Sequence, residues 1–198
     1  MEKVLLSLTL SVLLLATTDS FAQDSKLGIR AGINLVSFSG VDAALINDQN
    51  AGFFAGFYYD YIYTDRIGVE TGLTYSRTGS SDGSDSSAIS IGYIEVPILF
   101  KYYITQSINI HVGPQFSLLS DAKFGDGNDA TEFFKIGKTS FAFGAEYRTN
   151  FNLVINLRYN LGLSSIVATQ TEYFGITDTS TKFDVKYNSL QVGIGYLF

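Results

Sequence analysis

Apolar residues recur at every second position through eight separate stretches of this chain. The pattern is plainest at the C-terminal end. Leu190, Val192, Ile194, Tyr196 and Phe198 fall on one side of an extended strand, and Gln191, Gly193 and Gly195 on the other. Period two is the signature of a strand with two unlike faces. A strand with an apolar face at the end of a chain needs a partner. Pairing it with the first strand closes a barrel and removes both free edges.

The other stretches read the same way. Lys26 to Val36 sets Leu27, Ile29, Ala31, Ile33 and Leu35 against Gly28, Arg30, Gly32 and Asn34. Ala51 to Ile62, Ile67 to Arg77 and Ile89 to Ile104 continue the alternation, as do Ile108 to Leu118, Lys138 to Thr149 and Leu153 to Leu163. Each holds about ten residues, enough for a tilted strand to cross a bilayer. The connections alternate in length. Thr64-Asp65-Arg66, Thr105-Gln106-Ser107 and Asn150-Phe151-Asn152 are short, whereas 37–50, 78–88, 119–137 and 164–181 are long and polar. Short turns on one side and long loops on the other are the habit of outer-membrane barrels, with both termini on the periplasmic side. The expected fold is therefore an all-β, eight-stranded, antiparallel up-and-down transmembrane β-barrel.

Alternation does not say which face is inside, because a soluble lipocalin-like barrel buries the apolar face. Three features favour lipid outside. The polar face is rich in glycine and in charges of both signs, as a narrow filled lumen requires. Aromatic residues gather beside the short turns: Tyr58, Tyr59, Tyr61, Tyr63, Tyr102, Tyr103, Tyr147, Phe151, Tyr196 and Phe198. That is where an interfacial girdle belongs. Finally, Lys3, the apolar run Val4 to Ala16 and Ser20-Phe21-Ala22 read as a secretory signal, cleaved before Gln23. The expected division is residues 1–22 signal peptide and 23–198 barrel. The apolar run is shorter than the roughly 20 residues of a spanning helix.

Several motifs resemble a known family. Ala31-Gly32-Ile33-Asn34, Gly52-Phe53-Phe54-Ala55-Gly56 and Glu70-Thr71-Gly72-Leu73-Thr74-Tyr75-Ser76 are similar to its first three strands. Tyr93-Ile94-Glu95-Val96-Pro97-Ile98-Leu99-Phe100-Lys101-Tyr102 is close to its most specific motif. Val112-Gly113-Pro114 and Arg158-Tyr159-Asn160-Leu161-Gly162-Leu163 complete the likeness. The chain resembles the small porin-family, PorT-like outer-membrane barrels of Bacteroidota. The resemblance implies an eight-stranded barrel in the cell outer membrane and no particular substrate.

Eight charged residues share the polar face: Arg30, Lys101, Arg148 and Arg158 against Asp60, Glu70, Glu95 and Glu146. In so narrow a barrel they are expected to pair across the axis as a structural network; the functional alternative is a polar conduit or gate. Pro97 has no N–H for the ladder, which predicts a β-bulge or a local break in the fourth strand. His111, the sole histidine, falls on the lumen face, away from lipid and without a positioned nucleophile. Gly52 and Gly56 have helix-dimer spacing but lie in a strand. Asp126-Gly127-Asn128-Asp129 lacks the glutamate of a calcium loop and reads as a solvated turn.

The absence of cysteine excludes disulfides and thiol chemistry. No metal site or cofactor is expected. The long loops and their margins carry ten acids against Lys123, Lys135 and Lys182. This argues against nucleic acid; the readings open for the loops are simple solubility, a basic surface partner, or cation bridges to anionic lipids. The function expected is non-enzymatic: a structural or surface-interaction protein with long acidic external loops. The alternatives are a narrow channel for ions or small solutes and, remotely, a lipid-modifying enzyme. Outer-membrane lipids are expected partners, as is the assembly machinery, through the strand ending at Phe198.

Overall fold

The computed structural model describes residues 25–39, 50–79, 89–124, 127–166 and 185–198. Eight strands follow one another: β1 Ser25–Ser39, β2 Asn50–Thr64, β3 Ile67–Thr78, β4 Ile89–Tyr103, β5 Ile108–Phe124, β6 Gly137–Arg148, β7 Leu153–Gly162 and β8 Lys186–Leu197. Each pairs antiparallel with the next, and β8 returns to β1, giving a closed up-and-down barrel. The closing seam runs from Gly28 opposite Leu197 to Ser39 opposite Lys186. The Phe198 N–H extends it by donating to the Leu27 carbonyl. Among the described residues no helix is long and apolar enough to cross a membrane. The signal expected at 1–22 lies outside the described residues.

The three short turns share one device. The Thr64 hydroxyl accepts from the N–H groups of Arg66 and Ile67 at 3.3 and 3.0 Å, and the Thr105 hydroxyl from Ser107 and Ile108 at 3.2 and 3.0 Å. The Thr149 hydroxyl accepts from the Leu153 N–H at 3.1 Å, in a turn whose Asn152 takes a left-handed φ of 64°. A threonine that satisfies the turn's own backbone donors closes it without outside help.

The apolar face is the outer one. Leu27, Ile33, Phe57, Leu73, Phe100, Leu157 and Ile194 are exposed, while Arg30, Glu70, Glu95, Lys101, His111 and Arg158 are buried. This is the inverse of a soluble barrel and matches a wall that faces hydrocarbon.

Two departures from simple alternation bear on the sequence reading. β5 runs six residues beyond the expected end at Leu118, into the stretch read as loop. Its pairing with β4 shifts register between Gly92 and Tyr93, opposite Leu119 to Asp121. The extra residue there inverts the side-chain parity, so the continuing strand no longer matches the pattern before it. The irregularity expected at Pro97 is a local break. β3 and β4 keep one register, but Gly72 and Leu73 are left out of their ladder opposite Pro97 and Val96. The Thr71 hydroxyl donates to the Pro97 carbonyl across the gap at 3.0 Å.

The lumen is filled in layers. At the long-loop end, Val36, Ile91, Tyr93, Ala122, Ala130, Phe134, Ile166, Val185 and Tyr187 form a buried apolar cluster. Tyr58, Val154 and Leu197 form a smaller one at the opposite end. Polar and charged side chains fill the space between.

Candidate functional site

The lumen wall is thinned by glycine where the largest inward side chains lie. A Cβ at Gly28 would come within 2.5 Å of the Tyr58 ring, one at Gly193 within 2.6 Å of Phe54, and one at Gly144 within 2.7 Å of His111 Nε2. The glycines of the polar face thus make room for side chains that fill the barrel.

Within that space the ammonium of Lys101, on β4, stands among three carboxylates from three other strands. Its Nζ lies 2.7 Å from Asp60 Oδ1, 2.6 Å from Glu70 Oε2 and 2.7 Å from Glu146 Oε2. Two guanidinium groups complete the cluster. Arg30 Nη2 is 2.7 Å and Arg158 Nη2 2.8 Å from Glu70, and Arg30 Nη1 is 3.5 Å from Glu146. The cluster thus holds three positive and three negative charges, all buried. Such charges persist in a low-dielectric interior only when geometry and hydrogen bonds offset their desolvation. Asn109 and Asn156 supply two of those bonds, each donating to Glu146 at 3.1 Å. The Arg30 guanidinium also stands over the Tyr58 ring, its Cζ 3.7 Å from the centroid.

Asp60, Glu70 and Glu146 each bring a carboxylate oxygen within 4.8 Å of the others, a spacing a divalent cation would accept. Lys101 Nζ lies within hydrogen-bond distance of all three, so the protein's own ammonium supplies the positive charge. His111 is held nearby: its Nε2 accepts from Arg158 Nε at 3.3 Å. That bond places the imidazole proton on Nδ1 and leaves Nε2 committed. The ring is a neighbour of the ion network, and among the described residues no hydroxyl is hydrogen-bonded to it.

Six of the eight charges read from the sequence meet in this cluster: Arg30, Asp60, Glu70, Lys101, Glu146 and Arg158. Two require correction. Arg148 ends β6 beside the turn, half-buried, and its Nη2 donates to the Gln106 carbonyl at 3.1 Å. It stands at the rim, beyond reach of the central carboxylates. Glu95 is buried but belongs to a second layer, where it accepts from Gln191 at 3.2 Å. The cation of that layer, Lys138, was not singled out in the sequence reading. Its Nζ lies between the rings of Tyr93 and Tyr187, 3.8 and 3.3 Å from their centroids. It shares the parity of Glu146 on β6, which is the signal that would have found it. The girdle also loses two members: Tyr58 is buried in the lumen and Tyr103 is half-buried on the same side. The other eight are exposed on the outer face.

At the loop end, the Asp129 carboxylate accepts from the Thr131 N–H at 2.8 Å. The hydroxyl and backbone of Thr131 together hold its pKa below the ordinary value. Of the stretch with the calcium-like spacing, Asp129 is thus engaged by the backbone that follows it; Asp126 lies outside the described residues.

A closed eight-stranded wall with an apolar exterior, aromatics beside the short turns and a charge-filled interior defines an integral membrane β-barrel. The chain belongs to the outer membrane protein β-barrel domain family, whose model matches residues 7–198. It is thus a protein of the cell outer membrane. Solved structures similar to it include Neisserial surface protein A, at 18% identity and a TM-score of 0.56, covering 88% of this chain and 99% of that one. The attachment invasion locus protein Ail of Yersinia pestis is similar at 19% identity and a TM-score of 0.50, with 88% and 99% covered. Ail in complex with the heparin analogue sucrose octasulfate matches at 17% identity and a TM-score of 0.51, with 90% and 100% covered. At these identities the likeness extends to the fold. Comparison with curated proteins finds no significant sequence match.

Proposed function

We propose that this protein is a non-enzymatic outer-membrane barrel whose filled interior serves stability and whose long acidic loops meet a partner at the cell surface. The observation that carries the reading is the neutral six-charge cluster around Lys101. Eight strands leave an interior just wide enough for side chains, and here those side chains pair with one another between two apolar layers. A path for solutes has no place in that arrangement. His111 is engaged by Arg158, which argues against a catalytic base. With the lumen given to packing, the loops are the part available for recognition. Ail, similar in fold, was solved with a heparin analogue bound, which makes ligand binding by such a barrel a reasonable comparison.

The same reading places both termini in the periplasm and the long loops outside, makes residues 1–22 a cleaved signal, and assigns the strand ending at Phe198 to recognition by the assembly machinery. Kinship with the PorT-like barrels of Bacteroidota rests on the strand motifs given above, that of the fourth strand being the most specific. The surface role is tested by crosslinking on intact cells, comparing the full chain with one whose long loops are shortened to tight turns. A partner recovered with the full chain and lost with the shortened one supports it. Identical crosslinks from both contradict it.

A further inference from the structure

Among the described residues the lipid-facing wall carries a polar cluster at its long-loop end. Arg77 on β3, Ser90 and Gly92 on β4, and Asp121 and Lys123 on β5 occupy adjacent outward positions: Arg77 is paired with Gly92, Gly92 with Asp121, and Ser90 with Lys123. Arg77 Nε donates to the Ser90 hydroxyl at 2.9 Å, and its Nη2 lies 3.9 Å from Asp121 Oδ2. The Tyr75 hydroxyl donates to Asp121 Oδ1 at 3.3 Å. A Cβ at Gly92 would strike both Asp121 and Tyr75, so these polar groups fold over the glycine. About a third of the Arg77 and Asp121 side chains is exposed, and Lys123 is exposed.

The position of the cluster along the strand gives it meaning. Tyr102, in the girdle beside the short turns, pairs with Ile67 at the start of β3. From Ile67 to Arg77, ten steps of about 3.3 Å make roughly 33 Å along the strand, or about 23 Å along the membrane normal at a tilt near 45°. The apolar band of an outer-membrane barrel is about 25 Å tall. The cluster therefore stands at the far edge of the hydrocarbon, level with the headgroups. Leu73, Ile94 and Leu118, nearer the girdle, are exposed and apolar.

We propose that this cluster seats a phosphate of the phosphorylated glycolipid in the outer leaflet. Arg77 supplies the bidentate fork, fixed by Ser90 and steered outward by Asp121. Lys123, two strand spacings across and two residues further along at about 12 Å, supplies a second positive charge for the same headgroup. The inference rests on the proposed orientation, with the long loops outside.

Native mass spectrometry of the purified barrel measures the seat, with diphosphoryl lipid A, its dephosphorylated form and phosphatidylglycerol as probes. The expected result is at least tenfold tighter retention of diphosphoryl lipid A than of the other two. It falls at least tenfold in Arg77→Gln/Lys123→Gln and falls in Arg77→Lys, which keeps the charge but loses the fork. It persists in EDTA. Retention unchanged in the double variant, equal for the dephosphorylated form, or equal for phosphatidylglycerol overturns the seat. Loss in EDTA overturns direct recognition by Arg77. Heat-modified gel mobility shows which variants fold; Arg77→Lys carries the test if the double variant does not. Orientation is read separately. The chain has no cysteine, so Asp129→Cys gives a single site for an impermeant maleimide on intact cells. Labelling together with no lipid preference sinks the seat alone, whereas absence of labelling sinks the orientation and the seat with it.

Discussion

Lys101 shows what a single buried charge does in this lumen. Three carboxylates converge on its ammonium, and two of them also contact the guanidinium groups. Lys101→Met removes one of three cations and leaves three acids facing two. Breaking a buried pair by removing one partner costs about 3–5 kcal/mol, and a loss of that size is expected in urea unfolding of the refolded barrel. Glu95→Ala is expected to cost less than Glu70→Ala. Glu95 makes a hydrogen bond with Gln191 and has no ion pair among the described residues, whereas Glu70 contacts Arg30, Lys101 and Arg158. Equal losses in the two variants would show that the second layer depends on Glu95 as heavily as the first depends on Glu70. Parity made the inward direction of these residues legible in the sequence. It did not show who meets whom. Depth along the axis depends on how neighbouring strands are staggered, and one strand's alternation carries no information about stagger. That is why Arg148, with the right parity, stands at the rim, and why Lys138 escaped notice at a strand end.

At the level of elements, β8 carries the sharpest test of which face meets lipid. Val192 pairs with Leu157 in the middle of the wall, Ile194 lies nearer the end, and Tyr196 sits at the girdle opposite Leu153. Arginine at Val192 is expected to cost about 2–4 kcal/mol, with less at Ile194 and about 0–1 kcal/mol at Tyr196. Folding titrations in liposomes would show the gradient; a flat response along the strand would contradict the lipid assignment. Gly193 is no control for the inner face, because any side chain there collides with Phe54. Deleting Phe198 removes an exposed ring packed edge-on against Tyr196 at 5.4 Å and the last bond to β1. The folded amount in the outer membrane is expected to fall, and an unchanged yield would remove Phe198 from assembly. Strand boundaries were legible to within a few residues except in β5. There the bulge opposite Gly92 and Tyr93 inverts the alternation, and a pattern with its phase reversed reads as a loop.

The whole molecule follows from one constraint applied eight times. Strands with an apolar outer face must close on themselves, since an open edge in hydrocarbon leaves backbone groups unpaired. Closure at eight strands leaves a lumen too narrow for bulk water, so its polar faces have to satisfy one another. The apolar clusters at the two ends were not legible in the sequence. The loop-end cluster draws on Ala130, Phe134 and Ile166 from connections between strands, where periodicity has nothing to say. Conductance of the purified barrel in a planar bilayer tests this account most directly. A lumen packed by the Lys101 cluster and closed at both ends should pass no steady current, and liposomes holding the barrel should not take up small sugars. A stable open current from the unmodified protein, with solute uptake to match, would contradict the filled lumen and put the channel reading first.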